Sequence, residues 1–290
     1  MNGEKMPTLA ELNEPNHTIT WCPGCGNFSI LAALKKAIVD CGLEPHNTVI
    51  VSGIGCGSKL PHFIKTYGFE SLHGRAVAAA CGIKLANHSL EVIVVGGDGD
   101  GYGIGANHFI HACRRNYDIT YIVHNNQVYG LTTGQASPTS QKSMKTKSTP
   151  FGVIEPPINP IALALAAGAT FVARGFSGDL VYLSKLIAQG IKHKGFAFID
   201  VFQPCVIWNQ INTYEFFRQN CYKLEESGYQ PTDKFKAFQK AFETEKLPIG
   251  IFYQEERPTY EEELEELKKG PLCKQEINNI DIQRVVEKYL

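Results

Sequence analysis

The sequence predicts an α/β protein: a doubly wound, mostly parallel sheet followed by a polar C-terminal extension. Three observations carry this. Five short apolar runs rich in β-branched residues recur between positions 48 and 201, stretches with helical apolar spacing alternate with them, and beyond about residue 220 the composition turns polar and charged. With 290 residues and 43% hydrophobic content, the chain can bury one large core or two modest ones.

The first helix is expected from Phe28 to Asp40, where Ile30, Leu31, Leu34, Ile38 and Val39 recur at helical spacing and Gly42 supplies a stop. Thr48-Val49-Ile50-Val51 reads as a strand that enters the turn Gly53-Ile54-Gly55-Cys56-Gly57. Small residues from Ala76 to Ala86 suit a tightly packed helix before a strand at Val92 to Val95. The alternation continues with a helix near Asn107 to Arg115, a strand at Ile119 to Val123, a helix at Ile161 to Ala167 and a strand at Thr170 to Ala173. A helix at Leu180 to Lys192 and a strand at Phe196 to Val201 complete it. Between Gly134 and Asn159, Ser, Thr, Lys and Pro predominate, and a loop of that length and composition is expected to cover a site. From Cys221 onward, Glu261-Glu262-Glu263 and Glu265-Glu266 precede Lys268-Lys269, the pattern of a surface-draped extension. The expected division is 1–220 for a site-bearing domain and 221–290 for an extension packing on it or on a partner.

The formal charge of −1 leaves no general basic footprint, which argues against nucleic acid and for small-molecule or protein partners. Glu4, Lys5, Glu11 and Glu14 interrupt the first twenty residues, and no later stretch offers the roughly 18 uninterrupted apolar residues of a membrane span. A cytoplasmic location is expected. Nine cysteines is a high and odd count, too sparse for a disulfide scaffold, so metal binding becomes the first question. Cys41, Cys81 and Cys113 lie in apolar or helical stretches and read as buried side chains; Cys221 and Cys273 lie in the polar tail.

The strand Val92 to Val95 runs into a glycine-rich turn, Gly96 to Ala106, in which backbone amides can approach a phosphate. Gly101, Gly103 and Ala106 satisfy the dinucleotide spacing, a weak fingerprint on its own. Asp98 discriminates, because a carboxylate in such a turn repels pyrophosphate unless a divalent cation stands between them. The following strand delivers further oxygen ligands, Asn125 and Asn126, at its end. Gly97-Asp98-Gly99 followed by Asn126 resembles the thiamine-diphosphate motif, which implies magnesium held by Asp98, Asn126 and the carbonyl of Val128.

Trp21-Cys22-Pro23-Gly24-Cys25-Gly26 resembles a thioredoxin redox motif, but the chain is far longer than that module needs. Cys56 and Cys205 each follow a strand and enter a glycine- or proline-bearing turn, so both could join Cys22 and Cys25 at the sheet's carboxyl edge. Four thiolates there satisfy zinc or an iron–sulfur cluster, and residue types alone leave both open.

Taken together, Trp21 to Gly26, Ser52 to Cys56, Leu72 to Ala76, Gly97 to Asp100, Tyr129 to Thr132 and Gln203-Pro204-Cys205 look like the β subunit of 2-oxoacid:ferredoxin oxidoreductases, over residues 15–220. The resemblance implies a thiamine-diphosphate-binding fold. It implies one [4Fe–4S] cluster on Cys22, Cys25, Cys56 and Cys205, and cofactor contacts from Ile54, Gly55, Cys56, Gly57, His73, Gly99, Asp100, Gly130 and Leu131. Lys59 matches a family lysine near the substrate, where a cation would hold a 2-oxoacid carboxylate. Thr133 departs from the lysine or glycine common in relatives, and Arg75 has no assigned role.

By the same resemblance, the activity is oxidative decarboxylation of a 2-oxoacid, 2-oxoglutarate or pyruvate, to acyl-coenzyme A, with electrons leaving through the cluster to ferredoxin. An α subunit, alone or with a γ subunit, is implied, because no residue here is assignable as the acid that activates the aminopyrimidine. Two other classes stay open: a non-redox thiamine-dependent decarboxylase subunit, and a zinc-stabilised binding protein.

Overall fold

The computed structural model describes residues 7–276 and 282–290. In chain order the strands are β1 (Thr48–Ser52), β2 (Tyr67–Glu70), β3 (Glu91–Gly97), β4 (Thr120–Asn125), β5 (Val128–Tyr129), β6 (Gln135–Ala136), β7 (Phe171–Phe176), β8 (Ala197–Phe202), β9 (Cys221–Lys223) and β10 (Leu247–Gln254). The principal helices are α1 (Asn27–Asp40), α2 (Ala76–Ala86), α3 (Ala106–Arg115), α4 (Pro160–Ala167), α5 (Leu180–Lys192), α6 (Tyr214–Asn220) and α7 (Lys234–Ala241). Among the described residues, eight strands form one sheet in the order β2-β1-β3-β4-β8-β7-β10-β9, and β5 pairs with β6 separately. Every neighbour in the large sheet is parallel except β7 and β10.

Both faces of this sheet are buried, for a reason written into its strands. Val49, Val51, Val92, Val94, Tyr121, Val123, Val172 and Phe198 point to one face, where α2, α3, α4 and α7 supply Ala80, Phe109, Leu165 and Ala237. The alternate residues Ile50, Ile93, Val95, Ile122, Ala173 and Ile199 meet Ile30, Leu34 and Ile38 of α1 and Leu183 and Ile187 of α5 on the other. Helix termini follow the local chemistry: the Asn159 side chain accepts from Ala162 N at the start of α4, and Asp179 accepts from Tyr182 N at the start of α5. Among the described residues no helix is long and apolar enough to cross a membrane.

The five expected strands are all present, within a few residues of their expected limits. Within the large sheet, three strands were not legible. β2 is a short, fully exposed edge with Gly68 inside it. β9 has only three residues, and β10 carries Pro248 and Gly250, the latter at φ +121° beside a shift of register between Ile251 and Tyr253. Both lie in the range expected as a draped extension. In the structure this segment packs on the domain: β10 pairs with β7, and Leu224, Ala237, Ala241, Phe252 and Tyr253 join the main core. Residue 220 marks no break in the sheet.

From β1 the chain leaves toward β2 on one side, and from β3 toward β4 on the other, so a crevice opens beyond the carboxyl ends of β1 and β3. The turns at 53–57, 97–100, 125–127 and 203–205 all lie at this edge.

Candidate cofactor and cysteine site

The crevice contains a cavity of about 190 Å³ lined by Ile54, Gly55, Cys56, Gly57, His73, Asp98, Gly99, Asp100, Asn126, Val128, Gly130 and Leu131. The residues expected to meet a cofactor and a magnesium ion are thus brought to one place from separate turns. Close approach of the backbone explains the glycines. A β-carbon on Gly99 would overlap the Tyr129 ring, whose hydroxyl donates to Gly99 O at 3.0 Å. One on Gly53 would overlap Asp100 Oδ2.

The two aspartates of the turn have different work. Asp100 Oδ1 accepts from Ile54 N at 3.0 Å and Gly74 N at 2.7 Å, and lies 2.7 Å from His73 Nδ1. Its carboxylate therefore ties the 53–57 turn to the His73 turn, and its contribution to the cavity is chiefly to position those walls. Asp98 is buried, and Ser137 Oγ and Thr139 Oγ1 both donate to its Oδ2, at 2.5 and 2.6 Å. Both of these side-chain bonds fall on Oδ2, which leaves Oδ1 as the oxygen for a ligand. Burial pushes the Asp98 carboxyl up to about 6; the two hydroxyls oppose that shift, and the charge of Asp200 adds to it. A divalent cation at Oδ1 would oppose this shift, so the residues present fit the ion that the sequence motif implies. Asn126 lies beside it, with its Oδ1 accepting from Val128 N at 3.1 Å and its carbonyl accepting from Asn209 Nδ2 at 3.0 Å.

A second cavity, of about 230 Å³, is lined by Cys22, Cys25, Cys56 and Cys205 with Trp21, Lys59, Ile207 and Trp208. Cys56, Asn126, Gly130 and Leu131 line both cavities. A β-carbon on Gly130 would lie 3.6 Å from Cys56 Sγ and 3.9 Å from Cys205 Sγ, so only glycine thickness separates the two spaces there. Trp21 Nε1 donates to Cys56 O at 2.6 Å and its ring packs edge-on against Phe28 and Phe63, joining the Cys22–Cys25 turn to the 53–57 turn. All four cysteines are free thiols, and among the described residues no three His, Cys, Asp or Glu side chains close on a point as a single-ion site demands. Burial pushes the Cys25 thiol up to about 12, with smaller increments from Cys205, Cys56 and Cys22, and burial also raises Cys56. A thioredoxin-type nucleophile requires the opposite shift.

Lys59 stands at the cysteine cavity and donates to Thr20 Oγ1 at 3.3 Å; it does not line the Asp98 cavity. Thr133 borders the same space, and Lys147 from the 134–159 loop donates to Thr133 Oγ1 at 3.3 Å while lying over the Trp208 ring. An ammonium therefore reaches position 133 from elsewhere in the chain.

Several contributing residues escaped the sequence. Ser137 and Thr139 were visible only as members of a polar loop, yet they hold Asp98. Thr139 Oγ1, whose one proton goes to Asp98, also lies 3.0 Å from Asn125 Oδ1, while Asn125 Nδ2 donates to Asp200 Oδ1 at 3.0 Å and Arg174 Nε to Asp200 Oδ2 at 3.1 Å. Tyr102 OH donates to Asp200 Oδ1 at 2.8 Å, completing a buried network from the turn to β7 and β8. An aspartate and an arginine inside apolar strands were the available signal. His124, which lines the Asp98 cavity, pairs through Nδ1 with Asn27 Oδ1 at 2.8 Å, and burial pulls its pKa down to about 3, so the ring is neutral.

Comparison with known proteins bears on this geometry. Residues 53–201 match the family model described as thiamine pyrophosphate enzyme, C-terminal TPP binding domain, and residues 205–269 match the model for the C terminal of the pyruvate ferredoxin oxidoreductase beta subunit. A 2-oxoacid:ferredoxin oxidoreductase subunit beta from Saccharolobus solfataricus is 54% identical over 260 residues, 85% of each chain. The 2-oxoglutarate synthase subunit KorB of Methanocaldococcus jannaschii is 36% identical over 90% of this chain and 97% of its own. Among solved structures, a 2-oxoglutarate:ferredoxin oxidoreductase from Magnetococcus marinus, with 2-oxoglutarate, coenzyme A and succinyl-CoA bound, matches with a TM-score of 0.91 and 34% identity, covering 100% of this chain and 98% of that one. With turns, cavities and relatives in agreement, the chain belongs to the family of 2-oxoacid:ferredoxin oxidoreductase β subunits.

Proposed function

We propose that this chain, with an α subunit, oxidises a 2-oxoacid and coenzyme A to acyl-coenzyme A, carbon dioxide, one proton and two electrons, the electrons passing one at a time to ferredoxin. The observation that carries this is the shared wall: the cavity at Asp98 and the four-cysteine cavity meet at Cys56, Asn126, Gly130 and Leu131. A structural zinc gains nothing from that position, whereas a cluster beside the cofactor cavity can take electrons from it. The KorB and Magnetococcus relatives favour 2-oxoglutarate as a substrate, with pyruvate as the second candidate.

In this reading Asp98, Asn126 and the Val128 carbonyl hold magnesium, and the backbone at 54–57, Gly99, Asp100, His73, Gly130 and Leu131 hold thiamine diphosphate. Cys22, Cys25, Cys56 and Cys205 hold one [4Fe–4S] cluster. When bound, the cofactors supply what side chains cannot, an electron sink for decarboxylation and a one-electron carrier beside it. The protein's part is placement. Ser137 and Thr139 orient Asp98, Asp100 holds both walls of the cofactor cavity, and neutral His124 adds no charge beneath it. Lys59 and Lys147 set positive charge on the cysteine side, where a substrate carboxylate would be drawn.

The decisive experiment is anaerobic purification with the natural partner subunit, followed by measurement of iron, acid-labile sulfide, zinc and thiamine diphosphate. About four irons and four sulfides per chain, with bleaching of visible absorption on adding 2-oxoacid and coenzyme A, is the expected result. Zinc without sulfide would remove the redox function; thiamine diphosphate without iron would leave a non-redox decarboxylase.

A further inference from the structure

Gln203 lies just beyond β8, one turn behind the cysteines, and its side chain is 1% exposed. Its Nε2 donates to Pro204 O at 2.8 Å and to Cys25 Sγ at 3.4 Å. The orientation of the amide follows from the first bond. A carbonyl accepts only, so it demands the NH₂ end, and the second proton of that group is then directed at sulfur. Oε1 is left buried without a partner, an arrangement that an apolar side chain of similar size would avoid.

The surroundings hold this geometry in place. Gln203 N donates to Asn125 O at 3.0 Å, continuing the ladder between β8 and β4. Gly26, next to Cys25, leaves the room: a β-carbon there would fall 2.8 Å from Gln203 Cγ and 2.7 Å from Ser177 Oγ. Among the described residues this is the one side-chain hydrogen bond to any of the four cavity-lining sulfurs, and the Asn27 backbone N–H adds a second donor to the same Cys25.

We infer that Gln203 is a positioning residue that raises the reduction potential of the metal centre through its N–H···S bond to Cys25. The inference rests on the cluster assignment above. Reduction adds one electron, and no bond is made or broken at Gln203. The added negative charge is shared with the thiolate sulfurs, so a donor aimed at Cys25 stabilises the reduced form more than the oxidised one. Electron entry from the 2-oxoacid side becomes easier as a result.

The test uses the complete enzyme with its partner subunit and compares the wild type with Gln203→Leu and Gln203→Met. A potentiometric titration followed by electron paramagnetic resonance should show a more negative midpoint in both variants at unchanged iron and sulfide content. An unchanged midpoint in a variant that keeps its cluster overturns the inference. Should Gln203→Leu lose its cluster, Gln203→Met decides, because its unbranched side chain is of similar length and removes the donor without adding charge. A measurement without any substitution stands behind both: enzyme labelled with ¹⁵N in its glutamine side chains should show ¹⁵N coupling to the reduced cluster in pulsed resonance spectra, and its absence also overturns the inference. Wild-type enzyme without iron and sulfide would instead refute the proposed function, a distinct outcome.

Discussion

Asp98 shows how one residue's chemistry is set by its neighbours. Ionised in water near 3.8 and held at about 6 in the fold, its carboxyl binds its proton more tightly when folded. Folding of the metal-free chain is therefore opposed by this group as pH rises from about 4 through 6, by roughly 3 kcal/mol once both states are ionised. Magnesium and thiamine diphosphate should reverse that opposition, since they require the charged form. Thermal unfolding should accordingly show a larger stabilisation by the two ligands together at pH 7.5 than at pH 5.5; an equal stabilisation at both would place the metal elsewhere. Asp98→Ala should abolish magnesium-dependent cofactor binding by calorimetry. Ser137→Ala with Thr139→Val should weaken it by about 10- to 100-fold while leaving the carboxylate present, the usual effect of removing groups that orient a metal ligand.

At the level of elements, the site is a set of turns locked to one another. The 53–57 turn is tied to the 97–100 turn by Asp100 and to the cysteine turn by Trp21, while Tyr129 packs closely over Gly99. The 134–159 loop is part of this assembly. Met144 and Val153 bury against Val128, with Cys205 and Ala136 packed beside them, so the loop seats the segment after Asn126 and the Cys205 turn together. Met144→Ala should cost roughly 2–5 kcal/mol by unfolding titration. It should also expose Lys142, Lys145 and Lys147 to trypsin faster than other lysines, and uniform cleavage rates would show that the loop is held by other contacts. Gly99→Ala forces the Tyr129 ring away and should cost cofactor affinity even where folding survives.

Across the whole molecule, one sheet carries the site at its carboxyl edge and is braced from behind by its last strands. Arg174 and Asp200 pair at the heart of β7 and β8, with Arg174 over the Phe202 and Phe252 rings, so β10 helps enclose the charge. Arg174→Met should destabilise by roughly 3–5 kcal/mol because it leaves Asp200 buried and without its cation. A chain ended at residue 220 loses β9, α7 and β10 and should fail to give a cooperative thermal transition; a folded, cofactor-binding fragment would support the two-part division expected from the sequence.

The apolar runs and the helical stretches alternating with them determined five strands, their helices and the doubly wound class, because a parallel sheet buried on both faces needs continuous apolar strands separated by crossover helices. Spacing and residue type likewise singled out Asp98 and Asn126 as candidate ligands and the Cys22–Cys25 pair as a candidate metal site, and the family resemblance added Cys56 and Cys205 to it. β2 and β10 were not legible, since an exposed edge needs no apolar pattern and Pro248 and Gly250 disguise a strand whose pairing tolerates a bulge. Nor were Ser137, Thr139, Lys147, Asp200 and Gln203, ordinary polar residues whose roles come from what they touch. Only the tertiary structure decided those contacts, and with them the shared wall at Gly130, because a distance between residues from separate turns is a property of packing and leaves no local trace in the chain.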